Sequence, residues 1–501
     1  MKSGFEHDEI VLHVIFNRLT ARGLIHPTWS RIPRGGRRIM PRVLTCLIAA
    51  CLLSLFSPAM TGADDSSSDE LVRLIVKLIH DSDREFRAAG LEKVRTSAKG
   101  AAATQFFAEQ LKSLDAQGQT ALLSALADRS DATARGAVVA LFTSSPDEQV
   151  RAAAITAIGS LGTVADLPLL IKTMSTASGG EQAAARKSLV QIRGEAVNKS
   201  LAAELKSAAP NVKASLIEIL AARRAGDELP ALVAATVDDN SQVRSAAMSA
   251  LGQIGNPEQV APMLPGVLKA EKGGERDNAE RNVALICSRL DNEDRRGEVI
   301  INALKTVAAA DRDELLPLVG RVGGRKLINF VGDFASETDP DRRRLGIDAL
   351  SKWPDASVAD KLLEIADKAA DPAERRLAFQ GYVKISATRD NRPDKQRLDR
   401  MMQAMKAAKT PEEQLLVINR TRTAYAVESV RFVLPYVDEP KFSETACETI
   451  VEIAHHREVR DPNKAEFDKV LDKVIAVTKD PVVVDRAQRY KRGETWERPK
   501  K

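Results

Sequence analysis

Past residue 63 the sequence offers little for chemistry: three histidines, His80, His455 and His456, two cysteines, Cys287 and Cys447, and one basic glycine-rich stretch. A zinc or haem centre needs several of these side chains to converge. Adjacent His455 and His456 diverge by about 100° on a helix, and no His-x-x-x-His or Cys-x-x-Cys spacing supplies a partner. The two cysteines stand 160 positions apart, which makes no disulfide framework, and both are read as small buried hydrophobes. Gly320-Arg321-Val322-Gly323-Gly324-Arg325-Lys326 imitates a phosphate-binding loop but lacks its spacing and a preceding strand. Those glycines are read instead as a turn that ends a helix. There is no Cys-x-x-Cys-His haem site, no Gly-x-Ser-x-Gly elbow and no Walker loop. The expectation is therefore no catalytic residue, no metal ligand and no cofactor-binding residue.

Charge narrows the classes further. Residues 1–63 hold eight basic side chains against three acidic ones, and taking these from the chain's 74 and 69 leaves 66 of each in residues 64–501. A protein that grips phosphates needs a basic surplus on its folded part, so nucleic acid is not an expected partner. Arginine nevertheless recurs at one fixed place. Such an array could meet acidic ligands, but its position about one turn after an Asp such as Asp147 or Asp239 favours a ladder of ion pairs between neighbouring units. The runs Arg342-Arg343-Arg344 and Arg375-Arg376 are read as solvated faces.

The elements that carry these residues are helices. Only 4% of residues are aromatic while 44% are hydrophobic, so the apolar content is mainly Ala, Leu, Val and Ile, which suits closely packed helices better than a β-sandwich. Gln149-Val150-Arg151-Ala152-Ala153-Ala154-Ile155-Thr156-Ala157-Ile158-Gly159 returns as Gln242-Val243-Arg244-Ser245-Ala246-Ala247-Met248-Ser249-Ala250-Leu251-Gly252, 93 positions later, which is three steps of 31. The same mark is placed at Arg87, Thr120, Lys213, Arg281, Arg312, Arg343, Arg375, Glu413 and Glu444, with a degenerate unit near Ala183 to Ile192. Apolar residues at i, i+3 or i+4, and i+7 give each helix one buried stripe. Turn signals such as Ser145-Pro146-Asp147, Ala209-Pro210-Asn211, Asp238-Asp239-Asn240-Ser241, Asp339-Pro340-Asp341 and Asp371-Pro372 precede the marks, and Asp or Ser there can cap the helix. A helix pair of this length cannot bury its apolar faces alone and must stack on its neighbours.

An acidic turn, Val-Arg, Ala-Ala, then Ala-Leu-Gly and Ile-Gly resembles the short HEAT-like repeat of phycobilisome lyases and many bacterial scaffolds. The resemblance is close at Arg151 and Arg244, moderate at Arg87, Lys213, Arg343 and Arg375, and one of phase elsewhere. It implies an all-α solenoid of about twelve two-helix repeats, wound as a right-handed superhelix with one helix of each pair lining a concave face. It implies no activity.

The amino-terminal region reads differently. Arg37, Arg38 and Arg42 precede an apolar run, Val43 to Phe56, then small residues to Ala63 and the acidic-polar stretch Asp64 to Asp69. That order is a secretory signal peptide, with a cut after Ala63. Met40 is then the expected initiator, residues 1–39 a non-native extension, 40–63 the signal peptide, 64–70 a polar linker, 71–479 the solenoid and 480–501 a carboxyl-terminal cap and tail. A lipid anchor at Cys51, in Ile48-Ala49-Ala50-Cys51, is the rival processing route. The apolar run is shorter than the twenty or so residues of a membrane helix, so no span is expected after processing. Together these readings predict a non-catalytic scaffold exported to a bacterial periplasm or cell envelope, binding a protein or a cell-envelope polymer. The alternative is an enzyme or enzyme subunit, lyase-like or carbohydrate-active, on the same solenoid.

Overall fold

The computed structural model describes residues 64–497, so the signal segment with Cys46 and Cys51, and residues 498–501, lie outside the described residues. The chain divides into two units, 1–71 and 72–501. The helix Asp64–Ile79 begins inside the stretch expected as a linker.

The local rules are clearest in the repeat that carries Arg151. Asp147 caps the helix Glu148–Leu161 by accepting from the amides of Gln149 (2.8 Å) and Val150 (3.1 Å). Val150, Ala154, Ile155, Ala157, Ile158 and Leu161 form its buried stripe, and Gly162 ends it. The chain then enters the second helix, Leu167–Thr176, through a 3-10 turn closed by a reciprocal capping box between Thr163 and Asp166. The Arg244 repeat copies this arrangement. Its first helix is Ser241–Ile254 and its second Val260–Lys269, with Asn256 and Gln259 as the capping box. Its amino-terminal cap is Asn240, with neither Asp239 nor Ser241 in that role.

Twelve such pairs follow one another from Arg84–Thr96 to Lys464–Val477, and a thirteenth first helix, Pro481–Lys491, closes the series. Among the described residues there is no strand. First helices pack directly on first helices, and small residues let them approach. A Cβ at Gly159 would lie 2.9 Å from Ser188 Oγ of the next first helix, and one at Gly252 would strike Asn282. The buried apolar side chains form one cluster from Val72 to Val417 and a second from Ile418 to Tyr490. The helix Pro411–Thr421 contributes to both. Residues 72–497 are thus an all-α solenoid whose core runs as two clusters that meet at the helix Pro411–Thr421.

The register mark needs correcting in places. At the repeat beginning with Gly274–Ser288 the arginine in the equivalent position is Arg276, which is buried, while Arg281 lies one turn further on and is exposed. The 32 positions from Arg244 to Arg276 keep the period, and the extra residues come after Arg276, whose partner Glu314 lies 38 positions on. Glu413 takes the place of the partner Glu374, one residue before the arginine position, and accepts from Arg375 and the Lys409 amide, while Glu444 accepts from Thr478 and the Lys479 amide.

Candidate interaction surface

The recurring arginines are clasps between repeats. Arg151 donates to the carbonyls of Ser145 (3.0 Å) and Pro146 (2.8 Å) in the loop before its own helix, and reaches Glu181 of the next first helix at 2.5 Å. Arg244 does the same with Asp238 and Asp239 (3.0 and 2.9 Å) and with Glu275 (2.8 and 3.0 Å). Arg343 repeats the pattern with Glu337, Thr338 and Glu374 (2.8, 3.1 and 2.9 Å). Arg276 to Glu314 and Arg375 to Glu413 are variants of it. The ladder read from the sequence exists, with different acids as partners. The Asp one turn earlier, Asp147 or Asp339, is occupied in capping, and the guanidinium pairs with a Glu in the first turn of the following repeat. Burial pushes the Glu275 carboxyl up, but the Arg244 guanidinium and the Glu271 amide outweigh it and hold it below the ordinary glutamate value.

A second set of arginines works at the opposite end of the first helices. Arg129 donates to the carbonyls of Val94 (2.7 Å), Ser97 (2.8 Å) and Ala98 at the carboxyl end of the preceding first helix. Arg223 serves Leu189, Val190 and Ile192 (3.0, 2.9 and 2.8 Å), and Arg289 serves Gly252, Gln253 and Gly255 in the same way. Each places a cation on the negative end of a helix dipole and satisfies carbonyls the helix leaves open. Nothing in the local sequence pattern announced these residues.

The residues considered for chemistry are absorbed elsewhere. His80 contacts Gln110 and Ser113 at the surface. The rings of His455 and His456 stand nearly perpendicular. His455 meets the Tyr490 hydroxyl at 3.0 Å, and His456 stacks on Tyr425, over which Arg389 lies. Among the described residues no group of three or more His, Cys, Asp or Glu side chains could hold a metal ion. Gly323 (φ 65°) and Gly324 (φ 106°) make the turn between helices Leu316–Val322 and Arg325–Phe334, a backbone that favours glycine. In the same stretch Arg321 pairs with Asp277 (2.5 Å) and Glu280 (2.7 Å), and Lys352 adds a second cation to both. Burial raises the Asp277 carboxyl, yet Arg321 and Lys352 bring it below its ordinary value, the opposite of what a proton donor requires.

Cys287 and Cys447 are both fully buried, and burial pushes their thiols up to about 12 and about 11. The thiolate is the reactive form, so iodoacetamide near neutral pH should leave both unlabelled in the folded protein and label both in denaturant, as read by peptide mass mapping. Native-state labelling at the rate of free cysteine would contradict the packing of these two helices.

What the array leaves open is groove. One, about 400 Å³, lies between Pro210–Ala222 and Ser241–Ile254, lined by Glu218, Gln242, Ser245, Ser249 and Gln253. Another, about 810 Å³, lies over Pro372–Ser386 and Pro411–Thr421 and includes Arg376, Gln380, Lys384, Leu416, Asn419 and Arg420. It sits where the two core clusters meet. Among the described residues no helix is long and apolar enough to cross a membrane.

The sequence profile of HEAT repeats matches residues 104–190 and 198–284, so this part of the chain carries HEAT repeats, and the same helix pair continues beyond it to residue 477. No curated protein matches the chain. Among solved structures, human deoxyhypusine hydroxylase in complex with glycerol is 18% identical, with a TM-score of 0.22, covering 45% of this chain and 99% of that one. Kap121p is 13% identical, with a TM-score of 0.40, covering 86% of this chain and 54% of that one. Kap121p bound to Pho4p is 11% identical, with a TM-score of 0.42, covering 85% and 57%. This chain spans little more than half the length of Kap121p.

Proposed function

We propose that this chain is a non-catalytic scaffold of short bacterial HEAT-like repeats, of the kind found in phycobilisome lyases. In this reading it is exported to the periplasm or cell envelope, where it holds a protein or polymer partner. The observation that carries the reading is the use the array makes of its charged groups. Arginines and glutamates that could have formed a site are turned into the contacts between repeats, and broad open grooves remain at the surface. Twelve stacked pairs at about 9–10 Å each extend on the order of 100 Å, an area suited to a large partner. The equal numbers of acidic and basic side chains past residue 63 remove the counterion-release drive toward DNA, which should bind weakly near physiological salt.

The test starts with the protein isolated from its host. Amino-terminal sequencing should give Asp64, and cross-linking in the intact envelope should trap a discrete partner. A chain beginning at Met1, or lipid on Cys51, would refute the processing. Turnover of a substrate abolished by a single substitution at His455, His456 or Cys447 would refute the scaffold.

A further inference from the structure

We propose that the groove over Pro372–Ser386 and Pro411–Thr421 takes an acidic, extended segment of the partner protein, with Arg376, Lys384 and Arg420 meeting its carboxylates and Gln380 and Asn419 its main chain. The proposal rests on the scaffold reading and names the partner chemistry of one of its surfaces.

The geometry begins with spacing. Arg376, Gln380 and Lys384 recur every four residues and so line one face of a single helix, all three exposed. Asn419 and Arg420 come from the next first helix and line the same groove. The contrast with the adjacent Arg375 is informative. Arg375 turns inward to Glu413, whereas Arg376, Lys384 and Arg420 form no ion pair among the described residues. Of the two lining glutamates, Glu413 is occupied by Arg375 and the Lys409 amide, and Glu412 stands at the start of its helix beside Arg376 and Lys441. Beyond Lys384, Lys352 and Arg321 on the two preceding first-helix segments are already met by Asp277, Glu280 and Asp348, so the open cations are those of the groove itself. Partial loss of solvent and the nearby Arg321 and Lys352 push the Lys384 ammonium below the ordinary lysine value against the pull of Asp348 and Asp277, so its charge is only partly met within the chain.

Two features select a peptide over a nucleic acid. The lining contains no aromatic ring on which a base could stack. It does contain Leu415 and Leu416, half-buried, and the amide side chains of Gln380 and Asn419, each able to donate to and accept from a peptide backbone. A strand-like acidic segment with spaced apolar residues meets all of these at once.

The experiment is fluorescence anisotropy with the full purified protein. Three labelled probes are compared: a glutamate-rich peptide with spaced leucines, its lysine-for-glutamate counterpart, and oligothymidylate of matching charge. The acidic peptide should bind most tightly, with an affinity that falls as salt rises. The combined variant Arg376→Ala, Lys384→Ala, Arg420→Ala should weaken it at least about tenfold, the sum of three modest exposed contacts, while circular dichroism stays unchanged. Lys384→Glu should shift preference toward the lysine peptide. Equal affinity of wild type and combined variant, or oligothymidylate binding as tightly as the acidic peptide, would overturn the proposal. An envelope partner whose cross-linking survives the combined variant would refute this groove alone. The absence of any cross-linked partner would refute the scaffold reading beneath it.

Discussion

Ile155→Asp should unfold the repeats around it. Ile155 is fully buried in the stripe of Glu148–Leu161, a helix packed against the first helices on either side. The substitution removes the apolar side chain and leaves a charge or a protonated acid in its place, a loss of at least about 4 kcal/mol. Because each repeat is held by its neighbours, the loss should spread beyond one pair and appear in far-UV circular dichroism as reduced helical signal and a lower melting temperature. Val164→Asp, one turn past the same helix at an exposed position, should change the melt by less than about 0.5 kcal/mol. Equal melts for the two variants would contradict the stacking.

Arg244→Ala should be the second most damaging change. It strips the partner from Glu275 and two donors from the carbonyls of Asp238 and Asp239, in a place where the Arg244 side chain is 6% exposed and that of Glu275 12%. Removing one member of a buried pair costs about 3 kcal/mol, because the survivor remains desolvated. Arg244→Lys keeps the charge without the fork and should recover only part of the loss. Arg281→Ala, at an exposed position on the next first helix, should be nearly neutral. The pH dependence follows from the same pair. Glu275 in the folded protein holds its proton less tightly than in the unfolded chain, so its stabilisation is present above the unfolded glutamate pKa of about 4.3 and is lost as pH falls through the lower folded value. Without Arg244 burial is opposed by the Glu271 amide and the nearby Arg276 alone, and acid-induced loss should begin at higher pH. Urea titrations across pH 3 to 7 would resolve both effects.

The repeat was legible because it is written in local terms: an apolar stripe, a cap and a glycine recur together, and Arg151 and Arg244 stand in near-identical surroundings. The carboxylate partners were not, because Glu181, Glu275 and Glu374 lie 30 or 31 positions beyond their arginines and belong to a different helix. Asking for an acid one period downstream of each marked arginine would have found all three. The carbonyl-binding Arg129, Arg223 and Arg289 carry no such signal, since a lone arginine at the end of a helix looks like any solvated cation. The doublet Arg375-Arg376 reads as one solvated patch in the sequence. Helical geometry separates its members, one into a clasp and one into a groove, because successive side chains leave the axis about 100° apart.

The clasps also bear on how such a gene can change. An arginine and its glutamate stand one period apart, so recombination that duplicates or removes a repeat carrying both halves, as Glu275-Arg276 and Glu374-Arg375 do, presents the flanking arginine with a glutamate again. Insertions of other lengths within a helix rotate one partner away and strand a carboxylate in the interior. The length of the array is therefore free to drift in whole repeats and constrained against drift in fractions of one. The longer steps are tolerated where the extra residues fall between first helices, as between Arg276 and Glu314 and between Arg375 and Glu413, where the pairs still form across 38 positions.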